Sequence, residues 1–251
     1  MRWSHCIRVF VIERDIYARQ SIVGYLSWDR RTRVVGAAGD PREMIAVLGE
    51  RPKAARLDAV TLDVGSASQA AELRGLIESI RHDLPQTAII CLSSSADAEG
   101  AVAASQAGAR AYLVRESVGP GIAGAVHFAL QHSFVITHDI QTALRIRSMG
   151  SLAEAAVLPS LRRYDRLTPR IEQALRLCVL EGLPAELAAE EMGVSTSTVR
   201  SYIKEGYRIL ESQDDMAYPP TISPAERAFL RITALDMKDR PPQIPPRQRA
   251  A

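Results

Sequence analysis

Short apolar runs alternate with amphipathic stretches through the first half of the chain. Ile7 to Ile12 (IRVFVI) is interrupted only by Arg8, as expected of a strand covered on both faces. Between Asp15 and Ser27, Ile16, Ile22, Val23 and Leu26 recur with helical spacing. The alternation continues with a strand over Arg33 to Ala37 and a helix from Asp40-Pro41, Asp as N-cap and Pro in the first turn, to about Gly49. Leu57 to Leu62 predicts a third strand ending at Asp63, and Ala67 to His82 a helix. Thr87 to Leu92 predicts the next strand, and Ala96 to Ala107 a helix closed by Gly108. Arg110 to Val114 and Val118 to His132 complete the series. Five βα units predict an α/β fold with a doubly wound parallel sheet. Function in such sheets gathers at the carboxyl ends of the strands, which here carry Glu13, Arg14, Asp63, Ser93 and Arg115.

The second half is helical. Leu167-Thr168-Pro169-Arg170 predicts a helix start, with Thr capping and Pro in the first turn, and Gly182 ends that helix. A second helix runs from Ala185 to Met192 and breaks at Gly193, as a tight inter-helix turn requires. Ser195 or Thr196 caps a third, to about Leu210. Its Val199, Ile203, Tyr207 and Leu210 form one apolar stripe, while Arg200, Lys204 and Arg208, with Ser201 beside them, form a basic one. A face of that kind can enter a major groove and reach base edges and phosphates. Gly206 is costly at mid-helix, by about 1 kcal/mol against Ala. Beyond the third helix, Ser223-Pro224-Ala225-Glu226 starts an extra helix to about Met237, and a Pro-rich tail follows from Arg240. The expected organisation is a first domain over 6–135, a linker over 136–165, a helix-turn-helix domain over 166–213, and an extra helix and tail over 214–251. Ile140 to Met149 and Leu152 to Leu161 are helical candidates within the linker.

Composition adjusts this picture little. The 251 residues suit about two domains, and a net charge of +2 gives no strong electrostatic case for nucleic acid. From Arg166 to Leu210, six basic residues face six Glu. Cys6, Cys91 and Cys178 are too scattered for a disulfide framework or a zinc site, and the five His residues form no ligand cluster. No apolar run is long enough to span a bilayer, and no secretory signal precedes Val11. The expectation is a cytoplasmic, non-enzymatic protein without a metal, cofactor or membrane partner.

The first half resembles the receiver domain of bacterial response regulators, over Ile7 to about Ser133. The resemblance rests on Leu57 to Asp63, on Ser93 after the fourth strand, and on Ala107-Gly108-Ala109-Arg110-Ala111-Tyr112-Leu113-Val114-Arg115. It implies a five-stranded receiver (flavodoxin-like) sheet, Asp63 as phosphoacceptor, Ser93 as the hydroxyl beside the phosphoryl group and Tyr112 as the aromatic that follows it. The departures matter more. The family's acid pair holds Mg²⁺, because hard cations take oxygen ligands. Here it is Glu13-Arg14, Arg115 stands in place of a lysine, and Val64-Gly65-Ser66-Ala67 replaces the usual Met-Pro. Arginine stays protonated and repels the ion, so Arg14 or Arg115 is expected to pair with Asp63 in its place. The pocket is thus expected to be atypical, with Mg²⁺-dependent phosphorylation through Glu13 and Asp15 as the rival. On the second reading Asp15 joins the ligands; on the first it caps the following helix.

The second half is similar to the LuxR/NarL type of helix-turn-helix, over about Leu167 to Leu210. Glu181-Gly182-Leu183, Glu186-Leu187-Ala188 and Gly193-Val194-Ser195 through Thr198-Val199-Arg200 follow its pattern in order. The resemblance implies a DNA-binding transcription regulator of the two-component type, acting as a homodimer or as a heterodimer with another regulator. Arg200, Ser201 and Lys204 would read bases; Thr196, Ser197, Thr198, Tyr202 and Arg208 would touch phosphates. The rival function is a signalling adaptor working through protein contacts alone.

Overall fold

A computed structural model describes residues 6–49, 57–65, 70–147, 152–213, 218–219 and 221–237. The Pro-rich tail and the first residues of the helix expected from Ala67 lie outside them.

The α/β half follows the expected alternation: β1 (Ile7–Ile12), α1 (Ile16–Trp28), β2 (Thr32–Ala38), α2 (Pro41–Gly49), β3 (Ala59–Asp63), α3 (Ala70–Asp83), β4 (Ala88–Ser93), α4 (Ala98–Gln106) and β5 (Ala111–Val114). All strand pairs are parallel, and the order begins β2-β1-β3-β4-β5. Both faces are covered, so the central strands are largely apolar. Alternation along β1 sends Phe10 and Ile12 to the layer that holds Met44, Ile77 and Ala101, and Val9 and Val11 to the layer of Leu26, Ile122 and Val126. Each fully buried Phe, Leu or Ile contributes about 1.5–3 kcal/mol by leaving water. Asp15 caps α1, accepting from the amides of Tyr17 and Ala18 at 2.8 Å each. Asp40 accepts from the amides of Arg42 and Glu43 at the start of α2.

Several expectations need correction. The helix read over Val118 to His132 is broken: α5 (Arg115–Val118) gives way to a 3₁₀ turn at Gly119–Gly121, and then α6 (Ile122–Leu130) begins. The turn falls on Gly119-Pro120-Gly121, where Gly119 has φ of 47° and proline cannot supply an amide hydrogen. Nor does the sheet stop at five strands. It continues through β6 (Val135–Ile136) and β7 (Ala156–Val157), both parallel to their neighbours, for seven among the described residues. Between them α7 (His138–Ile146) buries Ile140 and Leu144 in the layer of α3 and α4. Part of the segment expected to be linker is therefore built into the α/β half, as β6, α7 and β7. The helical candidate over Leu152 to Leu161 is instead a turn, the short strand β7 and irregular chain.

The helical half comprises α8 (Pro169–Leu175), continued by a π-type turn over Arg176–Leu180, α9 (Ala185–Met192), α10 (Thr196–Ser212) and α11 (Pro224–Ile232). Thr168, Ser195 and Ser223 are the N-caps of α8, α10 and α11, and Ser223 with Glu226 completes a capping box. Gly193 ends α9 with φ of 64°. Gly206 has a structural reason to lack a side chain. A Cβ there would stand 2.8 Å from Leu175, where α10 crosses α8.

Candidate functional site

The strand ends bring Glu13, Arg14, Asp63, Ser93, Tyr112 and Arg115 to one edge of the sheet. Glu13 and Asp63 are buried there, at 1% and 8% exposure. Arg115, the first residue of α5, reaches back across both. One of its Nη2 hydrogens is donated to Asp63 Oδ1 at 2.9 Å, and the same nitrogen stands 3.0 Å from Glu13 Oε2. Arg14 adds a looser pairing, with Nε 3.8 Å from Asp63 Oδ2, and keeps most of its side chain in solvent. Arg115 thus supplies the main pairing anticipated for Asp63.

Backbone amides add one partner to each carboxylate, while Glu13 Oε2 has the ion pair with Arg115 but no hydrogen bond. Gly65 donates to Asp63 Oδ1, Asp15 donates to Glu13 Oε1, and Arg19 donates to the Glu13 carbonyl. Burial pushes Glu13 above the ordinary carboxylate range; Asp63 adds to the shift and Arg115 opposes it. Two carboxylates and two guanidiniums leave the pocket without net charge. A divalent cation needs free carboxylate oxygens, whereas a guanidinium spans these two and a second stands beside them. The donor set does not suit Mg²⁺. Asp15, the remaining acid, is the α1 cap.

Ser93 and Tyr112 are buried as well. Ser93 Oγ donates to the Ser95 carbonyl and accepts from the Ser95 amide. Tyr112 is buried; its pKa is pushed up to about 12 chiefly by burial, with Asp97 adding and a hydrogen bond with Ser93 opposing. Gly100 makes room for this ring: a Cβ there would stand 2.6 Å from the Tyr112 hydroxyl. Sequence reasoning missed Gly100 and Arg19, because a glycine inside an Ala-rich helix and one arginine among many carry no local signal.

The second constellation is the exposed side of α10. Ser197, Arg200, Ser201, Lys204 and Arg208 are exposed, and Thr196 and Thr198 are half-buried. The hydroxyls of Ser197 and Thr198 lie within hydrogen-bonding distance of the Ser195 cap. Ser201 donates to the Ser197 carbonyl. Tyr202 is placed differently: its ring packs between the two helical core clusters, so only part of it faces outward. Both arginines on this face are paired. Arg200 Nη2 bonds Glu186 Oε1 of α9 at 2.8 Å, and Arg208 bonds Glu205. Glu186 was legible in the sequence as part of the helix-turn-helix pattern, but its role as partner of Arg200 depends on how α9 crosses α10.

The remaining candidates supply no further chemistry. The three cysteines are free, and burial raises the pKa of Cys91 and Cys178. Among the described residues no group of three His, Cys, Asp or Glu could hold a metal ion, and no helix is long and apolar enough to cross a membrane.

Comparison with known proteins agrees with this division. Residues 161–210 match the family described as Sigma-70, region 4, over the helices α8 to α10. The response regulator protein VraR of Staphylococcus aureus is 25% identical over 209 residues, covering 83% of this chain and 92% of VraR. Among solved structures, RcsB of Salmonella enterica serovar Typhimurium bound to a promoter is 17% identical, with a TM-score of 0.49 over 92% of this chain and 100% of that one. A response regulator from Thermotoga maritima is 21% identical, with a TM-score of 0.43 over 51% of this chain and 100% of that one. The chain is thus similar over most of its length to a response regulator, with a receiver-like α/β domain followed by a helix-turn-helix domain.

Proposed function

We propose that this protein is a DNA-binding transcription regulator whose receiver is not switched by ordinary Mg²⁺-dependent phosphorylation. The observation that carries the first half is the outward face of α10. It holds Arg200, Ser201 and Lys204 in solvent on a helix whose other side is locked into two cores. A guanidinium so placed can bond a guanine edge in the major groove, and Lys204 and Ser201 can reach neighbouring bases. Thr196, Ser197, Thr198 and Arg208 lie along the same helix for phosphate contacts, with the Tyr202 hydroxyl a lesser candidate. A module this small suits two copies on paired half-sites, as a homodimer or with another regulator. The protein would work in the cytoplasm.

Support for the second half comes from Arg115, which spans the two buried carboxylates that the phosphoryl chemistry would need free. An attacking Asp63 would have to lose that partner, and no spare acid stands by to recruit a metal.

The test is an Arg200→Ala, Lys204→Ala variant, followed by genome-wide crosslinking to DNA and by titration on the enriched sequence. Sharp peaks sharing one motif should disappear in the variant, with affinity for that motif down by roughly 30- to 25,000-fold at about 1–3 kcal/mol for each of the two lost base contacts. Binding undiminished, with the same sequence preference, would refute α10 as the reader. Peaks that vanish only when a partner protein is removed would favour the adaptor role.

A further inference from the structure

The segment after the recognition helix does not trail away; it returns to the receiver. α11 is buried on both sides. Phe229 and Leu230 enter the core made by Ile171, Leu175, Ile209 and Leu210 of the helix-turn-helix domain. The same Phe229 ring packs on Trp28 of the receiver, with centroids 5.5 Å apart, and Tyr25 of α1 reaches into that core as well. Arg30, just past α1, donates to Glu226 at 3.0 Å and to the Thr221 carbonyl.

Beyond α11 the chain clasps the connection it has already passed. The Arg162 amide donates to the Ala234 carbonyl and the Asp236 amide to the Ser160 carbonyl, both at 2.8 Å, as an antiparallel bridge pairing Leu161 with Leu235. Leu235 joins the receiver's α1–α6 layer. Two glycines on the receiver receive this clasp. A Cβ on Gly121 would lie 2.5 Å from Leu161, and a Cβ on Gly124 would lie 3.3 Å from Leu235. With the domains so joined, Arg200, Lys204 and Arg208 remain exposed.

We propose that residues 221–237 are a strap that locks the helix-turn-helix domain to the α1–α6 face of the receiver with its recognition helix turned outward. Two domains on one chain ordinarily move relative to each other unless their interface is large and apolar. Here one segment contributes to the core of the first domain and to that of the second, so separating the domains means stripping Phe229 and Leu235 from their neighbours. The DNA-binding face is then held in one open pose, whatever happens at the receiver pocket. Only the DNA-binding role of that face rests on the function proposed above; the lock involves the two domains and the strap alone.

Gly124 offers a clean way to break it. It lies in α6, and the atoms a side chain there would meet belong to Leu235 and to the flexible end of Arg31. A Gly124→Leu substitution therefore strikes the strap while favouring the helix that carries it. Arg30→Glu reverses an exposed ion pair and spares both cores. The measurement is backbone ¹⁵N relaxation on the full chain without DNA. The wild type should tumble as one body, with one rotational correlation time for both domains. In the Gly124→Leu, Arg30→Glu double variant the two domains should separate, and the correlation time of the helix-turn-helix domain should fall by roughly two-fold, with both sets of dispersed resonances retained. Two distinct times in the wild type, or one undiminished time in the double variant, would overturn the strap. The Arg30→Glu variant alone should give an intermediate fall, and it serves as the deciding variant should Gly124→Leu disturb α6. Because no DNA enters the measurement, a helix-turn-helix that proves not to bind DNA sinks the functional reading and not the strap.

Discussion

The receiver pocket and α10 both pair arginine with carboxylate, yet their surroundings give the pairing opposite consequences. In the pocket, Arg115 joins two carboxylates that water scarcely reaches. Removing one partner there strands charge in a poorly solvated site, so the arrangement resists exchange. On α10, Arg200 meets Glu186 with more than half of each side chain in solvent. Such a pair is worth about 0–1 kcal/mol, and a phosphate or guanine can displace it at little cost. Net charge alone does not distinguish an occupied pocket from an available surface; burial does.

The comparison can be broken first at the pocket. Treated with Mg²⁺ and a small acyl phosphate, the wild type should keep its unmodified intact mass, whereas an Arg14→Asp, Arg115→Lys variant, with the acid pair and the ammonium in place, should take up one phosphoryl group. A stoichiometric adduct on wild-type Asp63 would end the contrast.

Next in size is the energy of the bridge. Arg115→Ala should lower stability by roughly 2–4 kcal/mol, less than a fully buried pair would lose because the arginine is partly in solvent. Denaturant titration measures it, and a loss under 0.5 kcal/mol would show that Arg115 matters no more than a surface charge.

A smaller effect concerns pH. The carboxyl of Glu13 holds its proton more tightly in the fold than in the unfolded chain, because burial disfavours its charge. Between the two pKa values the folded state binds more protons. This contribution therefore favours folding below the ordinary Glu pKa and is lost as pH rises through the raised folded value. Glu13→Gln should flatten stability across that window, as thermal melts in a pH series would record. An unchanged slope would remove Glu13 as the cause.

The smallest effect is expected on α10. Glu186→Gln should tighten DNA binding by about two- to five-fold, since Arg200 no longer has to leave a partner. A weaker complex would mean that Glu186 orients Arg200 rather than competes for it.

How much of this was visible in the sequence depended on the range of the interactions. The helix-turn-helix was legible because its signals are local: Thr168-Pro169, Gly193 and Ser195 mark helix ends that fall where their backbone chemistry requires. The pocket was legible because strand ends in a parallel sheet converge, which placed Glu13, Asp63 and Arg115 together before any distance was known. The strands at Val135–Ile136 and Ala156–Val157 were not, since two residues are too few for a period to register. The break at Gly119–Gly121 was signalled by Gly-Pro-Gly and overridden by the apolar pattern around it. The return of α11 to the receiver was beyond reach, because its anchors on Trp28 and Gly124 lie far away along the chain.

Gly206 carries a consequence of its own. It lies where α10 crosses Leu175, on the side away from any DNA, and the missing side chain sets how closely the two helices approach. A methyl group there would act as a wedge, tilting the whole helix about that crossing and moving Arg200 and Lys204 along an arc. If α10 reads DNA as proposed above, changes at this crossing would alter which sequences the helix fits without altering a single residue that contacts them.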